Sequence, residues 1–429
     1  MKSNLATVSD QAALKRVIFL SVAWGFNTFA FSIVYPFLPI YLHKIRGIPM
    51  DKAGLVFPVM GLAAIISGPI SGFLADRIGR RQLIIGGPLA RSVAFIFLAL
   101  MAWLNAPFLA IIAGLFFAAM LGTFFQSGSN AYVTDLVAPE DRTVAFSTLR
   151  VGLNFGWMLG PAVGSFLART PFSLLFTITG VLCWATAFIP FRFCPVVPHV
   201  KNVNKIGMPR LKTVRAILTH DPLFSLVLGL TLLMFMSVSQ YVSTLSIFST
   251  DVVGIKLTWL GFLFTINGAI VIVFLIPINK LLKYANPALR ISIGAFLYIC
   301  ALTGFGLSPH WGARTVQVLG YAISAAWLHL AGCIVLLTGA EMLSITAVLA
   351  IVGHMAPPDK IGRYMGMYGL TMGVSWSLGP YIGSLLFEPL RYHPLMLWLI
   401  LSSGAAFACV GFLLLTVLRV PLARLKQES

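Results

Sequence analysis

Apolar blocks of roughly 20 residues, each long enough to cross a bilayer as a helix, alternate with short polar turns along the chain. They predict spans over residues 17–41, 53–75, 82–103, 107–133, 143–168, 172–191, 223–249, 258–282, 288–308, 361–386 and 393–417, with a tenth span ending near Val352. The start of that tenth span stays open, because residues 313–353 are almost continuously apolar. Apolar side chains fill the blocks all round instead of recurring at amphipathic spacing, which is the pattern of helices in lipid. The predicted fold class is an all-α membrane protein with 12 transmembrane helices. Residues 192–222 form the one long polar stretch, with Arg192, Lys201, Lys205, Arg210, Lys212 and Arg215 among several prolines. Nothing there is patterned like a domain, so it reads as a cytoplasmic linker between a first bundle, 1–191, and a second, 223–429.

The two bundles repeat one another. Shifted by 219 positions, Pro139, Trp157, Leu159, Gly160, Pro161, Gly164, Ser165 and Leu167 fall on Pro358, Trp376, Leu378, Gly379, Pro380, Gly383, Ser384 and Leu386. Eight ungapped identities that include Trp and Pro point to a duplication of six spans. An even number of spans per half makes the repeats parallel, related by an axis along the membrane normal.

Composition agrees with this reading and removes one alternative. Only 10% of the 429 residues are charged, against about 25% in soluble domains. The net charge of +18 raises the question of nucleic acid, but the charge is distributed by topology. With both ends inside, 23 of the 30 Lys and Arg fall on the cytoplasmic side, leaving Lys44, Arg46, Lys52, Arg169, Lys256, Arg314 and Arg391 outside. That is a positive-inside bias, so no nucleic-acid partner is expected. The first apolar block is too long for a signal-peptide core and ends at Pro36-Phe37-Leu38-Pro39, so no cleavable leader is predicted. Five cysteines are scattered without metal or disulfide spacing.

The turn Gly72–Arg81, GFLADRIGRR, packs Asp76, Arg77, Arg80 and Arg81 into a short gap between two apolar blocks, with Gly72 and Gly79 placed for close approach or a sharp turn. It resembles the loop between the second and third helices of major facilitator superfamily transporters, G-x-L-A-D-R-x-G-R-R. The fifth span, GLNFGWMLGPAVGS, places Gly152, Gly156, Gly160 and Gly164 on one face, with Pro161 to bend it. It resembles the antiporter signature of that superfamily, although Ser165 stands where a second glycine is usual. A plain helix-packing face would look the same. The end of the first span, AFSIVYPFLPIYL, resembles the drug:proton antiporter branch. The resemblance implies two six-helix bundles, alternating access, and an aspartate, Asp76, that latches the first half to the start of the eleventh helix near Ile361–Arg363, supported by the loop arginines. The matching loop of the second half, 277–290, keeps Lys280, Lys283 and Arg290 but has no aspartate. An arginine common in the fourth helix of antiporter relatives is absent; Phe116 stands there.

Glu341 is the one acidic residue that the repeat places near mid-bilayer. A carboxylate there costs roughly 2.5–3.5 kcal/mol. Protonating it at pH 7 from an unperturbed value of about 4.3 costs ~3.7 kcal/mol. The near balance makes Glu341 the candidate proton-coupling residue, with Asp135 as a second. The alternative is a carboxyl held permanently by a neighbour such as His329 or Arg91. Asp135, Arg91 and Arg150 are expected to form a charge network near the cytoplasmic mouth, unless Asp135 is a solvated helix end. Candidate gating positions are Gly72, Asp76, Arg77, Gly79, Arg80, Arg81, Gly156, Gly160, Pro161, Gly164, Gly379, Pro380 and Gly383. Asn27, Tyr35, Gln126, Asn154, Trp157, Gln240, Asn267, His329 and Trp376 are polar or aromatic residues within spans that could line a substrate cavity or simply satisfy packing.

The expected protein is a transporter and not an enzyme, with no metal and no cofactor. No phosphate-cradling loop is present, so the proton gradient would drive it. The reading is proton-antiport export of small, amphipathic molecules by a monomer in the bacterial inner membrane, with both termini cytoplasmic. A sugar or metabolite transporter, and a non-transporting receptor on the same fold, are the alternatives.

Overall fold

The structure is a computed structural model that describes residues 2–138, 141–197, 218–312, 314–318, 320–357, 360–418 and 420. Most of the linker, 198–217, and the repeat positions Pro139 and Pro358 lie outside the described residues. The described chain is nearly all helical. Its long helices are α1 Lys2–Val34, α2 Val56–Ile78, α3 Arg80–Trp103, α4 Phe108–Leu136, α5 Arg142–Leu167, α6 Phe172–Phe193, α7 Pro222–Val238, α8 Leu257–Leu281, α9 Pro287–Leu307, α10 Ala325–Met355, α11 Ile361–Leu390 and α12 Pro394–Val417. Ten of the helices among the described residues, all but α5 and α11, are long and apolar enough to cross a membrane. Large apolar side chains such as Val93, Trp103, Leu109, Trp184 and Phe407 stand exposed on their outer faces. That surface suits lipid and not water.

Local chemistry sets where the helices start and stop. Pro36 and Pro39 remove backbone donors, so α1 gives way to a tight turn at Tyr35–Phe37 and a π-helical stretch at Ile40–Ile45. Gly79, at φ 96°, breaks α2 from α3 in a conformation that other residues avoid. Asn286 caps α9 by accepting from Ala288 N at 2.9 Å, with Pro287 in the first turn. Asp221 caps α7 in the same way through Phe224 N.

Two boundaries differ from the sequence reading. Residues 2–16, which lie before the first span predicted over 17–41, are already helical from Lys2, in keeping with their Ala, Leu, Gln and Lys content. The apolar run before the tenth span begins as a hairpin, Thr315–Val318 paired antiparallel with Tyr321–Ser324 through a turn that holds Gly320 at φ 83°. Its Val, Ile, Thr and Tyr residues favour strand. Ser324 then caps α10 by accepting from Trp327 N.

The chain divides into two compact units. Unit 1 is Met1–Tyr41 with Val59–Lys205, and unit 2 is Leu42–Pro58 with Ile206–Ser429. Within unit 1, α1 packs on α5 and α6, and α3 packs on α4 and α6. Within unit 2, α7 packs on α11 and α12, and α9 packs on α10 and α12. Each unit thus contains the same four pairings, as a duplication requires. The 219-residue offset carries the end of α4, Leu136, to the end of α10, Met355, and the start of α5, Arg142, to the start of α11, Ile361.

Candidate functional site

The glycines of α5 lie against α1. A Cβ on Gly156 would come within 2.6 Å of Gly25 O, and one on Gly160 would strike the Ser32 hydroxyl. Only hydrogen at these positions lets the two backbones meet. Gly379 and Gly383 of α11 do the same for the end of α7 and the turn after it, where a Cβ would meet Met236 and Ser239, and Gln240 and Thr244. Gln240, a cavity candidate, is consumed by this contact. Its Nε2 donates to Gly379 O at 2.6 Å and Met236 O at 3.1 Å, and its Oε1 accepts from Thr244 Oγ1 at 2.7 Å.

In unit 2, α8 and α10 bring a carboxyl and an amide together. Asn267 Nδ2 donates to Glu341 Oε2 at 3.1 Å and to Thr338 Oγ1 at 2.9 Å. Glu341 is half-buried and Asn267 is buried. No Lys, Arg or His pairs with this carboxyl among the described residues, so its charge is relieved only by a neutral amide. His329 is engaged elsewhere, with Nε2 2.8 Å from Gly304 O. Arg91 donates to Asn27, so neither neighbour considered from the sequence holds Glu341 in a salt bridge. In the same unit, Trp376 stands edge-on to Tyr241 at 6.4 Å, and Tyr241 tilts against Phe264 at 5.8 Å.

Unit 1 repeats the aromatic part with different polar groups. Trp157, the repeat partner of Trp376, stands edge-on to Tyr35 at 6.3 Å and to Phe31 at 6.1 Å. Behind Phe31 lies Arg91, only 4% exposed. Its Nη1 donates to Asn27 Oδ1 at 2.9 Å. The Phe31 and Phe95 rings lie 5.5 and 5.4 Å from its Cζ. Asn154 is half-buried on α5, whereas Gln126 is exposed on α4.

The charge network expected from Asp135, Arg91 and Arg150 is not assembled around Arg91. Asp135 pairs with Arg80, which also donates to Ala131 O, both at the end of α4. Arg91 is eleven residues further along α3, about 16 Å of helical rise. That distance puts it beside Asn27 and out of reach of Asp135. Arg150 is exposed on α5. Arg81 ties α3 to α6, with Nε to Cys194 O at 2.6 Å and Nη2 to Phe191 O at 2.8 Å. Two of the three loop arginines therefore brace their own bundle. The turn expected over Gly72–Arg81 narrows to Gly79, so Gly72, Asp76 and Arg77 are exposed on the last turns of α2.

Other partnerships had no signal in residue spacing. Arg290 Nη2 joins Asn279 Oδ1 at 2.9 Å and Thr346 Oγ1 at 3.0 Å, linking α8, α9 and α10. Asn279 lies in the last turn of α8, within the 277–290 stretch that has no aspartate. His43 Nε2 lies 3.2 Å from Glu388 Oε1, and Lys44 pairs with Asp251. Among the described residues no three His, Cys, Asp or Glu side chains cluster as a metal site.

An apolar outer surface, duplicated packing and a half-buried carboxyl on α10 are what a polytopic transporter would show. The Major Facilitator Superfamily model matches residues 20–380, and the chain belongs to that family. It is similar to Multidrug resistance protein 2 of Bacillus subtilis (strain 168), 22% identical over 379 residues, covering 85% of this chain and 87% of the relative. A Na(+), Li(+), K(+)/H(+) antiporter of Planococcus maritimus is 29% identical over 156 residues, 36% of each chain. The crystal structure of a mutant of nucleoside transporter NupG shares the fold, with a TM-score of 0.76 at 13% identity, covering 93% of this chain and 99% of that one.

Proposed function

We propose that this transporter exports small, amphipathic molecules in exchange for protons. In this reading it works as a monomer with twelve spans in the bacterial inner membrane, both termini facing the cytoplasm. The observation that carries the reading is Glu341, which has an amide donor, Asn267, and no cation beside it among the described residues. A carboxylate so placed is costly in a low-dielectric surround, and one proton removes the cost. Asn267 can donate to either form, so the site tolerates both states while the chain alternates access. The multidrug and cation/proton antiporter names of two relatives support this direction and coupling. The Gly72–Arg81 turn and the glycine faces of α5 and α11 would carry the conformational change, with the proton gradient as the energy source and no cofactor.

The test uses purified protein in proteoliposomes. Glu341→Gln should abolish uptake driven by an imposed pH gradient and leave gradient-free counterflow of the same substrate intact. Unchanged gradient dependence in the variant would refute the role of Glu341.

A further inference from the structure

We propose that Arg91 is the anion-recognising residue of the substrate cavity, and that the transported molecule carries a carboxylate or similar oxyanion on an apolar, ring-sized body. This deepens the export reading, on which it rests, by naming a substrate class. Guanidinium stays charged at every physiological pH, so burying it is costly unless a counter-charge compensates. Among the described residues no carboxylate pairs with Arg91. Its compensation is one neutral amide, Asn27, and the faces of Phe31 and Phe95. Its buried Nε–H has no acceptor.

Gly122 faces the guanidinium, and a Cβ there would fall 2.8 Å from Arg91 Cζ. Beside Arg91 lies a pocket of about 10 Å³. Its walls present only apolar surface, so the guanidinium itself stays covered in this conformation. Its lining includes Phe31, Tyr35, Met60, Phe95 and Leu115 and holds no acidic residue. The half-buried rings of Phe31 and Tyr35 stack at 4.7 Å, with Trp157 edge-on to both. An oxyanion on Arg91 would leave the rest of its molecule against these rings. A cationic ligand would meet a like charge offset only by Asn27 and two ring faces, which is repulsive in a low-dielectric surround. A residue needed only to pack α1, α3 and α4 would be satisfied by Leu or Met without the desolvation cost.

The experiment compares 2-naphthoate with its uncharged analogue 2-naphthamide by thermal stabilisation of the full chain in detergent at pH 7.5. The naphthoate should bind at least about tenfold more tightly, the order a charge-assisted hydrogen bond contributes. Arg91→Met should remove the preference, and Arg91→Lys should keep part of it. If Arg91→Met does not fold, the wild-type preference and the Arg91→Lys variant decide. Equal affinities, no stabilisation by either probe, or a preference that survives Arg91→Met would overturn the proposal. So would equal stabilisation by sodium chloride, which would make a small inorganic ion the occupant. No gradient enters this measurement, so its failure and a failure of the Glu341→Gln experiment are separate results.

Discussion

At the scale of single residues, what matters is which side chain answers which. Glu341 was legible from the sequence because a lone acid in a long apolar run has few structural excuses. Its partner was not legible. Asn267 is 74 positions away, and only the packing of α8 on α10 chooses it over His329. Arg91 shows the same limit from the other side. An intramembrane arginine invites pairing with the nearest acid in the chain, but the rise of α3 gives Asp135 to Arg80. Arg81 leads to a prediction. Its guanidinium fixes the carbonyl of Cys194 at the end of α6, and burial pushes the Cys194 thiol up to about 11. A raised value means less thiolate at neutral pH. At pH 7.5 the thiolate is then a far smaller fraction than for an ordinary thiol. In a variant retaining Cys194 alone, N-ethylmaleimide should react slowly with the folded protein. Arg81→Ala removes a guanidinium that by itself favours the thiolate, so a reaction at least about tenfold faster would report the freeing of the α6 end. Equally slow labelling in both would show that Arg81 does not hold that end closed.

At the scale of helices, spacing was informative where a face repeats and silent where a run does not. The four-residue glycine period of α5 announced a close contact, and α1 supplies it. The unbroken apolar run before α10 concealed a hairpin, because strand and helix look alike without a period. The glycines separate into two kinds that can be told apart by substitution. Gly156→Leu forces a side chain into the α1 backbone and should cost at least ~3 kcal/mol, seen as lost monodisperse protein or a large fall in melting temperature. A Cβ added to Gly72 in α2 would meet nothing within 4 Å. Gly72→Ala should therefore be neutral or stabilising by up to ~1 kcal/mol. If Gly72→Ala slows transport while melting is unchanged, the turn acts in the conformational cycle and not in folding. A destabilised Gly72→Ala protein would remove that distinction.

At the scale of the whole chain, the duplication was the most legible feature, because an ungapped offset survives where motifs decay. The second loop has lost its aspartate, yet Asn279 and Arg290 still join α8, α9 and α10 at the corresponding place. The repeat also bears on the two helices that composition alone does not carry across a membrane. α5 and α11 dilute their apolar content with the Gly, Ser and Pro that close packing needs, as in GLNFGWMLGPAVGS, so hydropathy is weakest where the helices approach most closely. If both nevertheless cross the bilayer, the chain must change sides at each. A cysteine placed at Arg142, the first residue of α5, should then be shielded from a membrane-impermeant maleimide in intact cells, and one at Arg169, after α5, should react. In unit 2 the same contrast should hold between Arg363 and Tyr392, at the two ends of α11. Lysis should make all four reactive. Arg142 and Arg169 reacting alike before lysis would mean that α5 does not cross, which would place α6 and everything after it on inverted sides and reverse the positive-inside bias of the second half.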